Sequence, residues 1–252
     1  MMLLLAKEIL EHIRTYRLVV VAGLSLLIGM GSPLAAYHAP KLIETLARQD
    51  STVEIAFTRQ PSLKDALQQY TKNFGLLTLA VILLAMAGVG REVRSGTAAL
   101  VITQPVARTT FLAIKLCGLL ALFGSGLVLA GAGFMLYTAE LFEAPSWSQF
   151  LAANALLFLL IVLYTSLTTL GSSLFTSQAA AAAVGFGGFL LLQGWSVLPR
   201  VGCASPARLT EYALAIGMGR DAAGLVAPLV AALAIIISSS ATACWHFRTR
   251  EL

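Results

Sequence analysis

The hydrophobic residues of this chain are gathered into six long stretches that polar segments separate. The stretches lie at 18–36, 74–90, 111–137, 149–170, 179–198 and 223–245. Polar residues do not recur within them at every third or fourth position, as they would on a surface helix of a soluble protein. Because a helix needs about 20 apolar residues to cross the core of a bilayer, the pattern predicts an all-α membrane protein with six transmembrane helices.

The segment before the first stretch, residues 2–17, has an amphipathic pattern at helical spacing. Its apolar side carries Leu5, Ile9, Leu10, Ile13 and Tyr16, and its charged side carries Lys7, Glu8, Glu11 and Arg14. A helix of this kind suits the headgroup plane of a bilayer, so the segment is predicted to be an interfacial helix. A plain cytoplasmic extension of the first span is the alternative.

Two longer connections separate the stretches. Residues 37–73 are predicted to be an external loop, with a short helix near Leu42, a candidate strand at Val53–Thr58 and a helix that starts at Pro61 and Ser62. Residues 199–222 contain prolines and glycines that interrupt any long helix, with room for a short one at Leu209–Met218. Neither connection suffices for an enzyme domain, so the chain is predicted to form a single transmembrane domain over residues 1–252.

Composition supports this interpretation. The chain is 58% hydrophobic and 12% charged, whereas soluble domains contain about 25% charged residues. The net charge is +5, an excess that in membrane proteins lies beside anionic lipid. Basic runs interleaved with aromatic residues are absent, so no nucleic-acid partner is predicted.

The basic residues also bear on orientation. Lysines and arginines are almost evenly shared between the two sides of the predicted bundle, so their overall distribution decides little. Lys7, Arg14 and Arg17 precede the first span, where basic residues dominate insertion, and both termini are therefore predicted to lie in the cytoplasm, with the chain in the inner membrane. A cleavable signal over Leu18–Met30 is the alternative, which the long charged segment before it disfavours.

The residues that membrane enzymes and carriers need are missing. The three histidines, His12, His38 and His246, lie outside the span centres, and no GxSxG or HExxH motif occurs. No lysine follows a glycine, so the chain has no phosphate-binding loop of the GK[ST] type. Asp, Glu, Lys and Arg are absent from the middle of every span, where ion-coupled carriers place them. The chain is therefore predicted not to be an enzyme and to hold no metal or cofactor of its own.

Neutral polar and small residues occupy the spans instead. The polar residues at mid-span are Ser25, Ser125, Thr165, Thr168, Thr169 and Gln193, and contacts between helices are favoured over contacts to substrate. Two small-residue faces comprise Gly124, Gly126, Ala130 and Gly133 in the third span and Ala181, Gly185, Gly187 and Gly188 in the fifth. They allow close approach either within the bundle or between subunits.

The segment Arg91–Lys115 has an unusual order of residues, REVRSGTAALVITQPVARTTFLAIK. Charges mark the exit from the second span, and a glycine and a threonine precede a short apolar run. A proline then ends that run, and a lysine enters the third span, where it is predicted to extend to the cytoplasmic interface. These features predict a short helix parallel to the membrane that starts near Ser95–Thr97 and stops before Pro105.

This order resembles the loop after the second span of ABC-2 type permeases, the membrane subunits of ATP-driven transporters. The matching positions are Glu92, Gly96, Thr97, Leu100, Pro105, Arg108 and Lys115, with Arg91 and Arg94 as flanking charges. Six spans, an interfacial first helix and a broken loop before the last span also resemble that family. The loop 37–73 is longer and more polar than in its smallest members.

The resemblance implies a function without chemistry in this chain. Residues 91–110 would be a cytoplasmic coupling segment whose Glu92–Gln104 helix docks on a separate ABC ATPase, and that partner would bind ATP and Mg. A second permease copy, or a related permease, would complete the pathway for export, within membrane lipid. The alternative is a non-transporting membrane assembly or scaffold protein, which has no need of the Arg91–Lys115 order.

Overall fold

The computed structural model describes residues 2–49, 60–86, 108–143 and 145–249, with the side chains of residues 2–3, 41–49 and 108 outside the description. These ranges are helical and contain no strand. An all-helical architecture is therefore confirmed for the described part of the chain. The candidate strand at Val53–Thr58 lies outside it.

Eight α-helices occur in the described ranges. They are α1 Met2–Arg14, α2 Arg17–Gln49, α3 Leu63–Ala85, α4 Arg108–Leu141, α5 Trp147–Leu174, α6 Gln178–Val197, α7 Leu209–Gly217 and α8 Val226–Thr249. Two single 3-10 turns, Gly202–Ala204 and Pro206–Arg208, separate α6 from α7. The short helix predicted within the loop 199–222 is thus present as α7.

Five of these helices, α2, α4, α5, α6 and α8, are long and apolar enough to cross a membrane. Even α6, with 20 residues, rises about 30 Å, the thickness of the hydrocarbon core. The sixth predicted span, 74–90, begins within α3 and continues past Met86 beyond the described residues. The first half of α3 carries Lys64, Asp65 and Lys72, so its described part is not apolar enough to be counted as a transmembrane helix. The number of six transmembrane helices therefore stays a prediction.

Helical structure extends further into the predicted loop 37–73 than hydropathy indicated. Helix α2 continues to Gln49, past two internal prolines. Helix α3 begins at Leu63, next to its predicted start, where the Asp65 carboxylate accepts hydrogen bonds from the Ser62 amide and hydroxyl, at 3.0 and 2.7 Å. Hydropathy reports where the chain leaves lipid, whereas hydrogen bonding and capping decide where a helix ends.

Helix α5 lies at the centre of the bundle and packs against α3, α4, α6, α7 and α8. Its inward residues Leu157, Leu160 and Ile161 are almost completely buried. Helix α3 is held beside it by a hydrogen bond from the Tyr70 hydroxyl to the Asn154 side chain, at 2.8 Å. The larger buried cluster therefore forms around α5, α3 and α4 both connect it to α2, and α4 also carries α1.

The small-residue faces pack mainly within the bundle. An added Cβ on Gly126 would lie 2.6 Å from Val21, and one on Gly133 would lie 3.0 Å from Met30, so α4 presses these glycines against α2. In α6, a Cβ on Gly185 would lie 2.8 Å from Ile82, whereas one on Gly187 would meet nothing within 4 Å. Of the two alternatives, packing between helices of one chain accounts for the first three positions.

The mid-span polar residues were predicted to serve contacts between helices. Ser25 and Thr168 pack against Gly126 of α4 and Gly185 of α6, but the mid-span hydroxyl groups form no hydrogen bond between helices among the described residues. Thr165 and Thr168 donate to carbonyl groups one turn earlier in their own helix, at 2.7 Å in both cases, and Ser125 donates to Leu122 in the same way. Ser25 and Thr169 have no hydrogen-bond partner among the described residues. A hydroxyl in a helix reaches its own carbonyl more easily than a neighbouring helix, because that carbonyl is always in range.

Candidate functional site

The structure places two of the nine predicted coupling residues within its described ranges. Seven of them lie between residues 87 and 107, outside the description: Arg91, Glu92, Arg94, Gly96, Thr97, Leu100 and Pro105. Arg108 is the first residue of α4, and its side chain is not described. Lys115 lies about two turns into α4 and has a defined environment.

Lys115 forms a buried ion pair with Glu8 of α1. Its ammonium group lies 2.8 Å from each oxygen of the Glu8 carboxylate, and both side chains are only 6% exposed. Glu11 contributes a second carboxylate at 3.8 Å. Lys115 therefore extends to α1, where the Glu8 carboxylate lies within reach of its ammonium group, and its position at the cytoplasmic interface stays a prediction.

The close approach of α1 and α4 depends on a glycine. An added Cβ on Gly118 would lie 3.1 Å from the Glu8 Cβ and 3.5 Å from the His12 Nε2. Gly118 lies three residues after Lys115, on the same face of α4. Any larger side chain at this position would push against α1, so Gly118 lets α1 come close enough for Glu8 to reach Lys115.

Helix α1 turns only part of its charged side inward, because Lys7 and Arg14 stay exposed. Glu8 and His12 are buried against α4, and Glu11 is on the same face because residues three and four apart are neighbours on a helix. The apolar residues Ile9, Leu10 and Ile13 remain 43–52% exposed. This correction concerns Glu8: its position on the charged side of α1 was predicted, but its burial in protein was not.

His12 adds no positive charge to this cluster at neutral pH. Burial lowers the pKa of the His12 imidazole below its ordinary value of 6.5, and the positive charges of Arg17 and Lys115 lower it further, against the raising effect of Glu11. A backbone hydrogen bond with Gly118 also raises the pKa of the imidazole, and it is the weakest of these effects. The charged members of the cluster are therefore Lys115 and the two glutamates.

This arrangement is a contact between two helices that holds α1 against the first turns of α4. Among the described residues, no group of three or more His, Cys, Asp or Glu side chains is placed to hold a metal ion. The Lys115 ammonium is occupied by Glu8. The cluster joins α1 to the helix that directly follows the predicted coupling segment.

A polar cavity of about 180 Å³ lies between α3, α5 and α6. The hydroxyl groups of Thr71, Thr78 and Tyr164 and the amide of Gln193 line it. Pockets for small-molecule ligands have volumes of about 300–1,000 Å³, so this cavity is small for a substrate.

Comparisons with known proteins cover most of the chain. Residues 2–215 match the family described as ABC-2 family transporter protein. A curated relative, the uncharacterized transmembrane protein YxlG of Bacillus subtilis (strain 168), is 30% identical over 189 residues. The matched region covers 74% of this chain and 72% of that relative.

Proposed function

The chain belongs to the ABC-2 family of transporter proteins, and on that premise we propose that it is the permease subunit of an ABC exporter. It forms the translocation pathway and couples ATP hydrolysis by a separate ATPase subunit to the movement of substrate out of the cell. The family match carries this proposal, because it runs from α1 to α7 and includes the whole Arg91–Lys115 segment.

The ATPase contact is assigned to residues 91–110. This segment connects α3, a central helix of the bundle, to α4, which packs on α1, α2 and α5. A displacement of this segment by the ATPase would therefore act on both α3 and α4, which belong to the same core. ATP and Mg belong to the partner, which contributes the nucleotide-binding loop that this sequence lacks.

A second permease copy, or a related permease, completes the pathway. Six helices of one chain leave little room for both a sealed bundle and a substrate cavity, so the pathway is placed between two subunits rather than inside one. Two permeases then work with two ATPase domains.

The exposed apolar residues of α1 support its assignment as an interfacial helix. Ile9, Leu10 and Ile13 face away from α4, and lipid offers an apolar surface for them at the edge of the bilayer. The exposed Arg14 is then suited to anionic headgroups. Both termini lie in the cytoplasm under this proposal.

Reporter fusions test the orientation. Fusions at Val53 and Tyr212 are expected to report an external position, and fusions at Thr97, Ser177 and Arg250 a cytoplasmic one. The physical reason is the basic cluster Lys7–Arg17 before the first span. A cytoplasmic signal at Val53 combined with an external one at Thr97 would invert the orientation and remove the coupling role of residues 91–110.

Copurification tests the function. The chain, purified gently in detergent from its own cells, is expected to bring down an ABC ATPase whose rate of ATP hydrolysis changes when the permease is present. Glu92→Lys is expected to insert normally but to lose this change, because the reversed charge lies in the docking helix.

Glu140→Lys is the matched control. It changes the charge in the same way as Glu92→Lys, but at the C-terminal end of α4, far along the chain from residues 91–110, where Glu140 is exposed. It should behave like the unmodified protein. If the chain purifies without an ATPase, or if an ATPase copurifies and its rate is indifferent to the permease, the proposed function is wrong.

A further inference from the structure

The Glu8–Lys115 ion pair lies at a particular place in the chain. Lys115 is in the first turns of α4, directly after residues 91–107, and Glu8 is in a helix more than 100 positions earlier. Helix α1 has few other attachments: it contacts α4 and, less extensively, α2. The pair is therefore the main polar tie between α1 and the end of α4 that continues the coupling segment.

We propose that Glu8 and Lys115 are positioning residues that make α1 and the start of α4 move as one body when the ATPase acts on the coupling segment. This inference rests on the proposed function and extends it, because it makes α1 a working part of the coupling apparatus. Lys115 was assigned to this apparatus by its place in the sequence, whereas Glu8 is a new member.

The chemistry of the contact favours a joint over simple packing. An apolar contact tolerates sliding of one helix along the other, whereas a buried ammonium has to keep a carboxylate within hydrogen-bond distance. Glu8 is at that distance, while Glu11 lies at 3.8 Å. The glycine at position 118 removes the side chain that would separate the helices. On the exposed side of α1, Ile9, Leu10 and Ile13 lie beside the basic residues Lys7 and Arg14, so that side has no carboxylate that could replace Glu8.

The charged and titratable groups around the pair leave it intact at neutral pH. Glu11 adds a second negative charge at 3.8 Å from the ammonium. His12 is neutral because of its lowered pKa, and it therefore does not compete with Lys115 for Glu8. The joint consequently consists of one cation and its nearest carboxylate, with Glu11 as a weaker second.

A reversible crosslink can replace the ion pair. The Cβ atoms at positions 8 and 118 would lie 3.1 Å apart, within several tenths of an ångström of the roughly 3.8 Å across a disulfide. The variant is Glu8→Cys with Gly118→Cys, in a background where Cys117, Cys203 and Cys244 are replaced by serine. Oxidation then ties α1 to α4 without the ion pair, and reduction releases it.

The readout is the effect of the permease on ATP hydrolysis by the copurified ATPase. In the reduced variant this effect is expected to fall at least about fivefold, within the usual range of coupling between sites, while the ATPase stays bound. Oxidation is expected to restore it in the same sample, which a role in folding alone would not produce. Glu211→Cys is the matched control, since Glu211 forms an exposed ion pair with Arg208. This variant has one cysteine and no second thiol in the chain to pair with, so it should keep the full effect on ATP hydrolysis with oxidant and with reductant.

A second variant keeps the test decisive if the cysteine pair fails to fold. Exchanging the charges, with Glu8→Lys and Lys115→Glu together, is expected to preserve the effect on ATP hydrolysis, whereas Glu8→Lys alone abolishes it. Full coupling in the reduced cysteine variant or in Glu8→Lys alone would overturn the proposal.

If the proposed function itself is wrong, the result differs from a failure of the joint, because no ATPase would copurify with the unmodified chain. The joint is tested in that case by amide hydrogen exchange on the permease alone. Glu8→Gln should remove protection from α1 and leave α7 protected, and unchanged protection of α1 would refute the joint.

Discussion

Replacing Lys115 with methionine is expected to destabilise the folded protein by about 3–5 kcal/mol. The substitution keeps most of the side-chain volume but removes the cation, so the Glu8 carboxylate would be left buried without its partner. Without the ammonium group that attracts both carboxylates, the Glu11 carboxylate would only repel that of Glu8. The measurement is thermal unfolding in detergent, followed as the fraction of protein that remains monodisperse after heating.

Two companion variants define what this result means. Arg208→Met removes an ion pair that is exposed to solvent, and it is expected to leave the unfolding temperature unchanged because exposed pairs contribute little. The double variant Lys115→Met with Glu8→Leu is expected to recover most of the loss, because an apolar pair of similar volume can replace a buried ion pair. An unfolding temperature unchanged by Lys115→Met alone would contradict the burial of Glu8.

Replacing Gly29 with alanine is expected to be the second most damaging change. A Cβ at this position would overlap the carbonyl group and α-carbon of Ala130 in α4, and because these are backbone atoms no side-chain rotation can relieve the clash. Helices α2 and α4 form the most extensive helix pair of the bundle, so they would have to separate. Overpacking of this kind costs about 1–3 kcal/mol, measurable by the same thermal assay.

Gly23 offers a control on the same helix. A Cβ at Gly23 would meet nothing within 4 Å, so Gly23→Ala makes the identical chemical change one and a half to two turns away without a clash. The Gly23→Ala variant is expected to unfold at the temperature of the unmodified protein. Equal unfolding temperatures for the Gly29 and Gly23 variants would show that α2 and α4 do not cross closely at Ala130.

Small residues show where sequence patterns stop being informative. The glycines of α4 and α6 were expected to support close approach, either within the chain or between subunits. The structure assigns Gly126 and Gly133 to the contact with α2, and Gly185 to the contact with α3 and α5. A missing side chain permits a neighbour to come close but does not select it, because the neighbour is chosen by the connections and lengths of all the helices together.

The mid-span hydroxyl groups illustrate a different limit. Thr165 and Thr168 were expected to serve contacts between helices. Both hydroxyl groups donate to their own helix one turn back, while Thr168 also packs against Gly185 of α6, so its contact with that helix is one of packing rather than hydrogen bonding. The interhelical hydrogen bond that joins α3 to α5 instead uses Tyr70 and Asn154, which lie closer to the helix starts. Longer polar side chains can form a hydrogen bond across two helices, whereas the hydroxyl group of a threonine donates to a carbonyl group of its own helix.

The amino-acid sequence by itself determined that the chain is a helical membrane protein and, through the order of residues in Arg91–Lys115, its family. Both follow from local properties: apolar stretches of a bilayer's length, and motif residues read in order along the chain. Only the tertiary structure decided that Glu8 is buried against Lys115 while Ile9 and Leu10 remain exposed. The physical reason is that an amphipathic helix beside a membrane has two apolar surroundings, protein and lipid, and its pattern does not say which face meets which. That choice depended on a single lysine, 107 positions away in the chain.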